Sequence, residues 1–284
     1  MVEYLAGNRI RGTSTERLAL AQPISGSITI DPTGGNSSTP SNGASSINGQ
    51  AIIENGTTGT SGIITGTFSS FVVGNNTNRA LIVASGAYNY HPDIVGITFN
   101  GSESFAKIEE HNDGSYKVEL WILYNPTVTT ANVVIDWGTR AGQLGAICYS
   151  FYNVKQSDAT GTPVTKTGSA STTPFIPITP ATTGSMIIDS WYSGSDASVP
   201  NNDLTDGMNV ICSGVDRSMA SQYSLTPTIG SVNNMSRTAG GSSYVQTAVE
   251  IKKATEYKVA DGSIFYETDN NKSYVLYDGT WTEL

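Results

Sequence analysis

The chain has 284 residues, with 24 Asp plus Glu against 15 Lys plus Arg and a net charge of −9. That balance repels a phosphate backbone, so nucleic-acid binding is not expected, and the scattered basic residues form no polybasic stretch for a membrane surface. Charged residues are 14% and hydrophobic residues 38%, below the about 25% and roughly 45–50% of ordinary domains; 30 glycines with abundant Ser, Thr and Asn suit short strands joined by turns and do not suit helices.

Residues 1–22 carry most of the helix-like character, and Thr13 to Glu16 reads TSTE, the spacing of a capping box. The start lacks the apolar run of a secretory signal, and no stretch approaches the ~18 apolar residues of a membrane span, so no membrane insertion is expected. Residues 23–50 are rich in Pro, Gly, Ser, Thr and Asn and read as a linker or long surface loop. Strands are then expected at 62–73, 79–88, 93–99, 105–110, 116–124, 131–137 and 144–154. The run RALIVASGAY (79–88) is apolar nearly throughout, as when both faces are covered, whereas YKVELWILY (116–124) alternates like a half-buried strand. Asn100-Gly101 marks a hairpin turn, and Asn125-Pro126 stops a strand.

A second polar stretch, 155–173, leads to PFIPIT and a strand at 185–193. Strands at 209–215, 221–229 and 242–254 complete the set. Turn signals every 10–15 residues, without a long amphipathic helix, predict an all-β, antiparallel β-sandwich of jelly-roll or Ig-like type over 51–254. Residues 1–50 form an extended N-terminal arm and linker, and 255–284 a small aromatic-rich β-hairpin unit. That last unit has too little core to stand alone, so it must pack on the main domain or on neighbouring subunits.

Chemistry-bearing residues are sparse. Cys148 lies in an apolar run, which fits a buried free thiol; a disulfide to Cys212 is the alternative. His91, beside Asp93, and His111, beside Glu109, Glu110 and Asp113, are the only histidines. They are metal-ligand candidates or ordinary turn residues, and no GxSxG elbow accompanies them. Asp189 is the one acid inside a strongly apolar strand; it is either functional or on the strand's outward face. Asp196, Asn201, Asn202, Asp203 and Asp206 offer hard oxygen ligands for a structural Ca²⁺, without EF-hand spacing. No other cofactor is expected. Tyr88, Tyr90, Trp121, Trp137, Trp191, Tyr192 and Trp281 are the candidates for stacking on a ligand such as a sugar, against core packing for those within strands; Tyr88 and Tyr90, at a strand end before Pro92, are the ones expected to be exposed. Asn36, Asn55, Asn75, Asn100, Asn234 and Asn271 open Asn-x-Ser/Thr triplets that mark surface loops.

Three stretches together carry a resemblance. The opening LAGNRIRGTSTERLAL resembles N-termini of phage and archaeal-virus structural proteins. The run from NRALIVASGAYNY through VELWILYNPTVTTANVVIDW, GAICYSFYNV, TTGSMIIDSWYS and TAVEIKKA resembles a β-sandwich domain of viral and surface proteins. The ending GSIFYETDNNKSYVLYDGTWTEL is similar to C-terminal β-hairpin tails of tail-fibre and capsid-associated proteins. The resemblance implies a non-enzymatic virion or extracellular component: a capsid-surface, turret or fibre protein that assembles with itself, as a trimer by analogy, and with other virion proteins. Tyr4, Leu5, Arg9, Arg11 and Trp281 are the assembly candidates, and a host surface glycan is a further partner. The alternative reading is a carbohydrate-binding module or adhesin of a cell surface.

Overall fold

The structure is a computed structural model that describes residues 2–20, 23–24, 27–31, 34–35, 50–55, 65–88, 93–138, 143–169, 171–194, 207–212, 218–254, 256–257, 259, 261–277 and 280–284. In chain order the elements are β1 (Glu3–Leu5), β2 (Arg9–Gly12), α1 (Ser14–Leu20), β3 (Pro23–Ile24), β4 (Thr29–Ile30), β5 (Gln50–Asn55), β6 (Thr65–Val72), β7 (Ala80–Tyr88) and β8 (Gly96–Phe99). There follow β9 (Glu103–Ser104), β10 (Ala106–Asn112), β11 (Tyr116–Tyr124), β12 (Thr130–Asp136), β13 (Gln143–Tyr152), β14 (Val164–Gly168), β15 (Phe175–Ile178) and β16 (Met186–Ser193). The last are β17 (Gly207–Cys212), β18 (Ser218–Ser224), β19 (Asn233–Ser236), β20 (Tyr244–Ile251), β21 (Glu256–Tyr257), β22 (Ile264–Glu267), β23 (Ser273–Tyr277) and β24 (Thr280–Glu283). The fold is all-β and sandwich-like, with one short helix among the described residues.

The chain divides into two compact units, Ser27–Ala254 and a smaller one made of Met1–Gly26 with Thr255–Leu284. This replaces the expected division into arm, sandwich and tail. The two chain ends belong to one unit, and the large unit begins at Ser27 rather than at 51. Within 23–50, Ile28 and Ile30 are buried in the core, β4 pairs with Phe151 and Tyr152, and Asp31 accepts hydrogen bonds from the Gly74 amide and the Ser150 hydroxyl. Those two apolar residues and one acid, hidden among turn formers, turn the expected linker into part of the sheet.

The large unit is built around a central sheet in the order β10-β11-β7-β13-β4, with β5 also paired to β13. Side chains alternate across a strand, and here both faces are covered. Ile82 and Ala84, Val118, Leu120 and Ile122, and Ile147, Tyr149 and Phe151 face one way. They share a core with Met186, Ile188 and Tyr192 of β16 and Val245 and Val249 of β20. The residues between them, Leu81 and Val83, Trp121 and Leu123, Ala146 and Cys148, face the other way. They pack on Phe68 and Phe71 of β6, Ile97 and Phe99 of β8, and Val133 and Ile135 of β12. The second large sheet, β14-β20-β16-β18-β17, has its own outer face covered in turn. There Ile187 and Ala248 meet Ile176, Ile178 and Met235 of the β15–β19 ribbon. The described residues of this unit therefore stack as four layers, more than the two of a simple sandwich.

Double coverage explains β7, buried along nearly its whole length as its composition predicts. It also corrects the reading of β11 as half-buried: Lys117 and Glu119, on the face expected to be solvated, are buried as well. The 155–173 stretch contains an edge strand, β14, paired to β20, and NNMS forms β19, which the sequence pattern did not single out. Asn100 and Gly101 have φ of 51° and 74° in the β8–β9 turn, and Asn125 at 45° ends β11, as their residue types require. Cys148 is a free, fully buried thiol, and burial pushes its pKa up, which makes it inert. The Cys212 side chain lies outside the described residues.

Two polar pins cross the main core. The Tyr149 hydroxyl donates to the Ser221 carbonyl at 3.1 Å, and the Ser190 hydroxyl donates to the Ser85 carbonyl at 2.9 Å. Beside the second pin, Tyr192 lies against the backbone of Gly86, where an added Cβ would meet its ring at 2.5 Å. Gly86→Ala is expected to destabilise the large unit by about 1–3 kcal/mol through overpacking. Urea denaturation checks this, and an unchanged midpoint would contradict the packing.

Candidate assembly surface

The terminal unit is a five-stranded sheet in the order β1-β2-β22-β23-β24, with α1 on one face. Its central pairing is parallel: Arg9 to Gly12 lie alongside Ile264 to Glu267. Both strands alternate exposed and buried, so Ile10 and Phe265 point to one side with Leu20, Val259 and Leu276. Trp281 closes this small core edge-on to Phe265, with centroids 5.7 Å apart, and its indole N–H donates to the Arg17 carbonyl at 3.0 Å.

The helix begins as its sequence predicts. The Glu16 carboxylate accepts from the Thr13 amide at 2.9 Å, and the Glu16 amide faces the Thr13 hydroxyl at 3.4 Å, which is the reciprocal capping box. The rest of the helix is tied down from the other end of the chain. The Ser14 hydroxyl donates to Asp269 at 2.7 Å, and this bond, with one from the Ser14 amide, holds the Asp269 carboxyl below its usual range. Arg17 pairs with buried Glu267 and stacks on the Tyr274 ring at 3.8 Å. Removing residues 255–284 takes away β22, the carboxylates and the Trp281 lid together. Residues 9–20 of such a truncated chain are expected to lose their amide protection in hydrogen exchange, while β7, β11 and β13 keep theirs.

The sheet's other face is open. Cross-strand partners place Leu5, Arg9, Ile264, Val275 and Thr282 in one row, and Glu3, Arg11, Tyr266 and Ser273 in the next. Tyr277, at 74% exposure, stands beyond them. Of the 11 large exposed hydrophobic residues among the described residues, Tyr4, Leu5, Leu18, Ile264, Tyr266, Tyr277 and Leu284 belong to this unit. Four of these, Leu5, Ile264, Tyr266 and Tyr277, fall in the registers of the open face, and exposed apolar residues gathered on one face mark interaction sites.

The expected assembly residues divide. Leu5, Arg9 and Arg11 lie on the open face, and Arg11 faces Glu3 at 3.9 Å. Tyr4 pairs with Ile10 but is 67% exposed, and lines a cleft of about 290 Å³ with Leu5, Arg9 and Val259. Trp281 does not belong with them: it turns into the small core, because an indole at that place seals the helix against Phe265. Sequence reading missed Ile264, Tyr266 and Tyr277. Their alternation with buried Phe265 and Leu276 was the available signal.

Several of the expected ligand residues are not at the surface. Trp191 and Tyr192 are both buried, so neither is open to a sugar ring. Tyr192 instead ends a row of tyrosines: its ring centroid is 6.0 Å from that of Tyr116, which is 5.4 Å from that of half-buried Tyr88. Tyr90, His91, Asp196, Asn201, Asn202, Asp203 and Asp206 lie outside the described residues, as does Asn36. His111 faces the Thr167 hydroxyl at 2.8 Å. Among the described residues, no group of three His, Cys, Asp or Glu side chains is placed to hold a metal ion. Asn75, Asn100, Asn234 and Asn271 are exposed, as surface triplets should be.

Asp189 does point away from the main core, but the β15–β19 ribbon covers that face. It is fully buried and pairs with Arg237, which is also fully buried. It accepts further bonds from the Gln222 amide at 2.9 Å and from the Gln246 side chain at 2.7 Å. Burial pushes the Asp189 carboxyl up and the Arg237 guanidinium down, and the opposite charge on each counters this. A second network lies on the other side of the central sheet. Lys117 pairs with Asp93, and with Glu110 and Glu119 at 3.1 Å each; Lys107 reaches Glu119 at 3.1 Å. Burial opposes the Lys117 charge, but the surrounding carboxylates outweigh it and raise its pKa. Sequence reading found Asp189 and missed Arg237, Gln222, Gln246, Lys117 and Glu119. In both networks the charged groups are matched, as buried ions must be.

Asp189→Leu alone leaves Arg237 charged and unpaired in the interior, at an expected cost of about 3–5 kcal/mol. Asp189→Leu with Arg237→Met removes both charges and is expected to be the more stable of the two variants in urea denaturation. A double variant as unstable as the single one would show that the pair does more than balance charge.

No known protein family, curated protein or solved structure significantly matches this chain.

Proposed function

We propose that this protein is a structural component of a virion exterior, acting by assembly rather than catalysis. Its large unit is the rigid scaffold and its terminal unit is the joint. The observation that carries the reading is the open face of the terminal sheet, where Leu5, Ile264, Tyr266 and Val275 alternate with Arg9 and Arg11. The occupant we assign is a second copy of the chain. Two arginines against one glutamate make this face locally basic on a chain of net charge −9, so it complements the acidic surface of another copy. A closed ring is the expected outcome of such self-association, with three copies by analogy to viral sandwiches. The viral setting rests on the resemblance of the N-terminal, sandwich and C-terminal stretches. The adhesin alternative loses Trp191 and Tyr192 from its aromatic candidates, since both are buried.

Sedimentation velocity tests the assembly step. The full chain is expected to sediment as a discrete oligomer at moderate concentration. Ile264→Glu with Tyr266→Glu places two acids on the open face and is expected to yield monomer with an unchanged far-UV spectrum. A wild-type chain that stays monomeric at the highest concentration reached, or a variant that assembles as before, would overturn the reading.

A further inference from the structure

A second surface feature lies wholly within the large unit. Residues 159–162 are held against the end of β20: the Gly161 amide donates to the Glu250 carbonyl at 2.8 Å, and the Lys252 amide donates to the Ala159 carbonyl at 2.6 Å. The chain leaving β15 forms the opposite wall, where the Pro180 carbonyl accepts from the Gly230 amide at 2.8 Å. Between these walls is a cleft of about 450 Å³ lined by Thr160, Thr162, Thr179, Thr182, Glu250 and Lys252.

The floor of the cleft is built. Glu250 is only 5% exposed, and its carboxylate is fixed by the Thr182 amide at 2.7 Å and the Ala181 amide at 3.2 Å. Gly161 leaves it room: an added Cβ would meet the Glu250 carboxylate at 2.9 Å and its Cβ at 3.0 Å. Lys252 is drawn aside, its ammonium donating to the Asp158 carbonyl at 3.3 Å. The open edge is therefore set by hydroxyls, with Thr162 and Thr179 exposed and Thr160 and Thr182 half-buried.

From this donor set we infer a binding site for a neutral polyhydroxylated ligand, one or two sugar rings in size. A carboxylate has only acceptors to offer, and hydroxyls both donate and accept, which matches the vicinal hydroxyls of a sugar. The fixed negative charge disfavours an anion. The single acid disfavours a divalent cation, which needs several hard oxygen ligands. The volume falls in the range of small-ligand sites. The expected glycan contact thus moves from the buried Trp191 and Tyr192 to a threonine-lined cleft elsewhere on the molecule. Self-assembly through the terminal unit is independent of this site.

Saturation-transfer NMR on the full-length protein tests the inference, with the methyl glycosides of glucose, galactose, mannose and N-acetylglucosamine as probes and inorganic phosphate as the anionic control. At least one glycoside is expected to receive saturation, and phosphate is not expected to displace it. Thr162→Val with Thr179→Val keeps the branched shapes, removes two exposed hydroxyls and is expected to weaken that binding at least tenfold. Gly161→Ala, which crowds Glu250, should do the same. Silence from all four glycosides, displacement by phosphate, or undiminished binding in the folded Thr162→Val/Thr179→Val variant would each overturn the site.

Discussion

The central sheet is the constraint on which the large unit depends. Because both faces of β7, β11 and β13 are covered, every side chain on them must be apolar or fully partnered, since an unpaired buried polar group costs several kcal/mol. The residues obey this. Aliphatic and aromatic side chains fill both faces, and Ser85, Ser150, Lys117 and Glu119 are the exceptions. The Ser150 hydroxyl donates to Asp31, Lys117 and Glu119 bond each other and their neighbours, and Ser85 is the residue whose backbone carbonyl receives the Ser190 pin. The layers above and below exist to satisfy that sheet.

The two buried charge networks lie outside the main core, one on each side of the sheet pair. Glu119 accepts from the Trp121 indole at 2.9 Å, and Arg237 lies over the Trp191 ring at 5.2 Å. In each case a charge sits beside an indole at the margin of an apolar cluster. Matched ions in these places add little net stability, but they penalise any other registry of the ribbon or of β10, because a shifted strand would strand a charge in the interior.

Much of the scaffold was legible in the sequence. The strands from RALIVASGAY to TAVEI were readable because β-branched runs between Asn-Gly and Asn-Pro signals have few other solutions. The layering was not. FIPI and NNMS form the covering ribbon, yet a proline in one and two asparagines in the other disguise them as loop, and without them Asp189 looks solvated. Arg237 follows in a turn-like segment, so nothing local announced its partner. Of the candidate assembly surface, Leu5, Arg9 and Arg11 were named only through the resemblance of the opening stretch, although the exposed–buried alternation of Arg9, Ile10 and Arg11 was there to be read. Trp281 was misplaced because a tryptophan near a terminus gives no hint of which face it takes. The joining of the two ends had no local signature at all, since a parallel ladder leaves no turn between its strands.

That ladder has a consequence for the timing of biogenesis. Arg9 pairs with Ile264, a separation of 264 − 9 = 255 residues. While the polypeptide emerges from the ribosome, β2 has no central neighbour until the last portion follows, long after the layered scaffold has been translated. The face that carries Leu5, Arg9 and Ile264 therefore forms only once β22 has been made. The order of synthesis makes the layered body available before the small sheet can close, and the exposed apolar residues Leu5, Ile264 and Tyr266 come together only after that body has been translated.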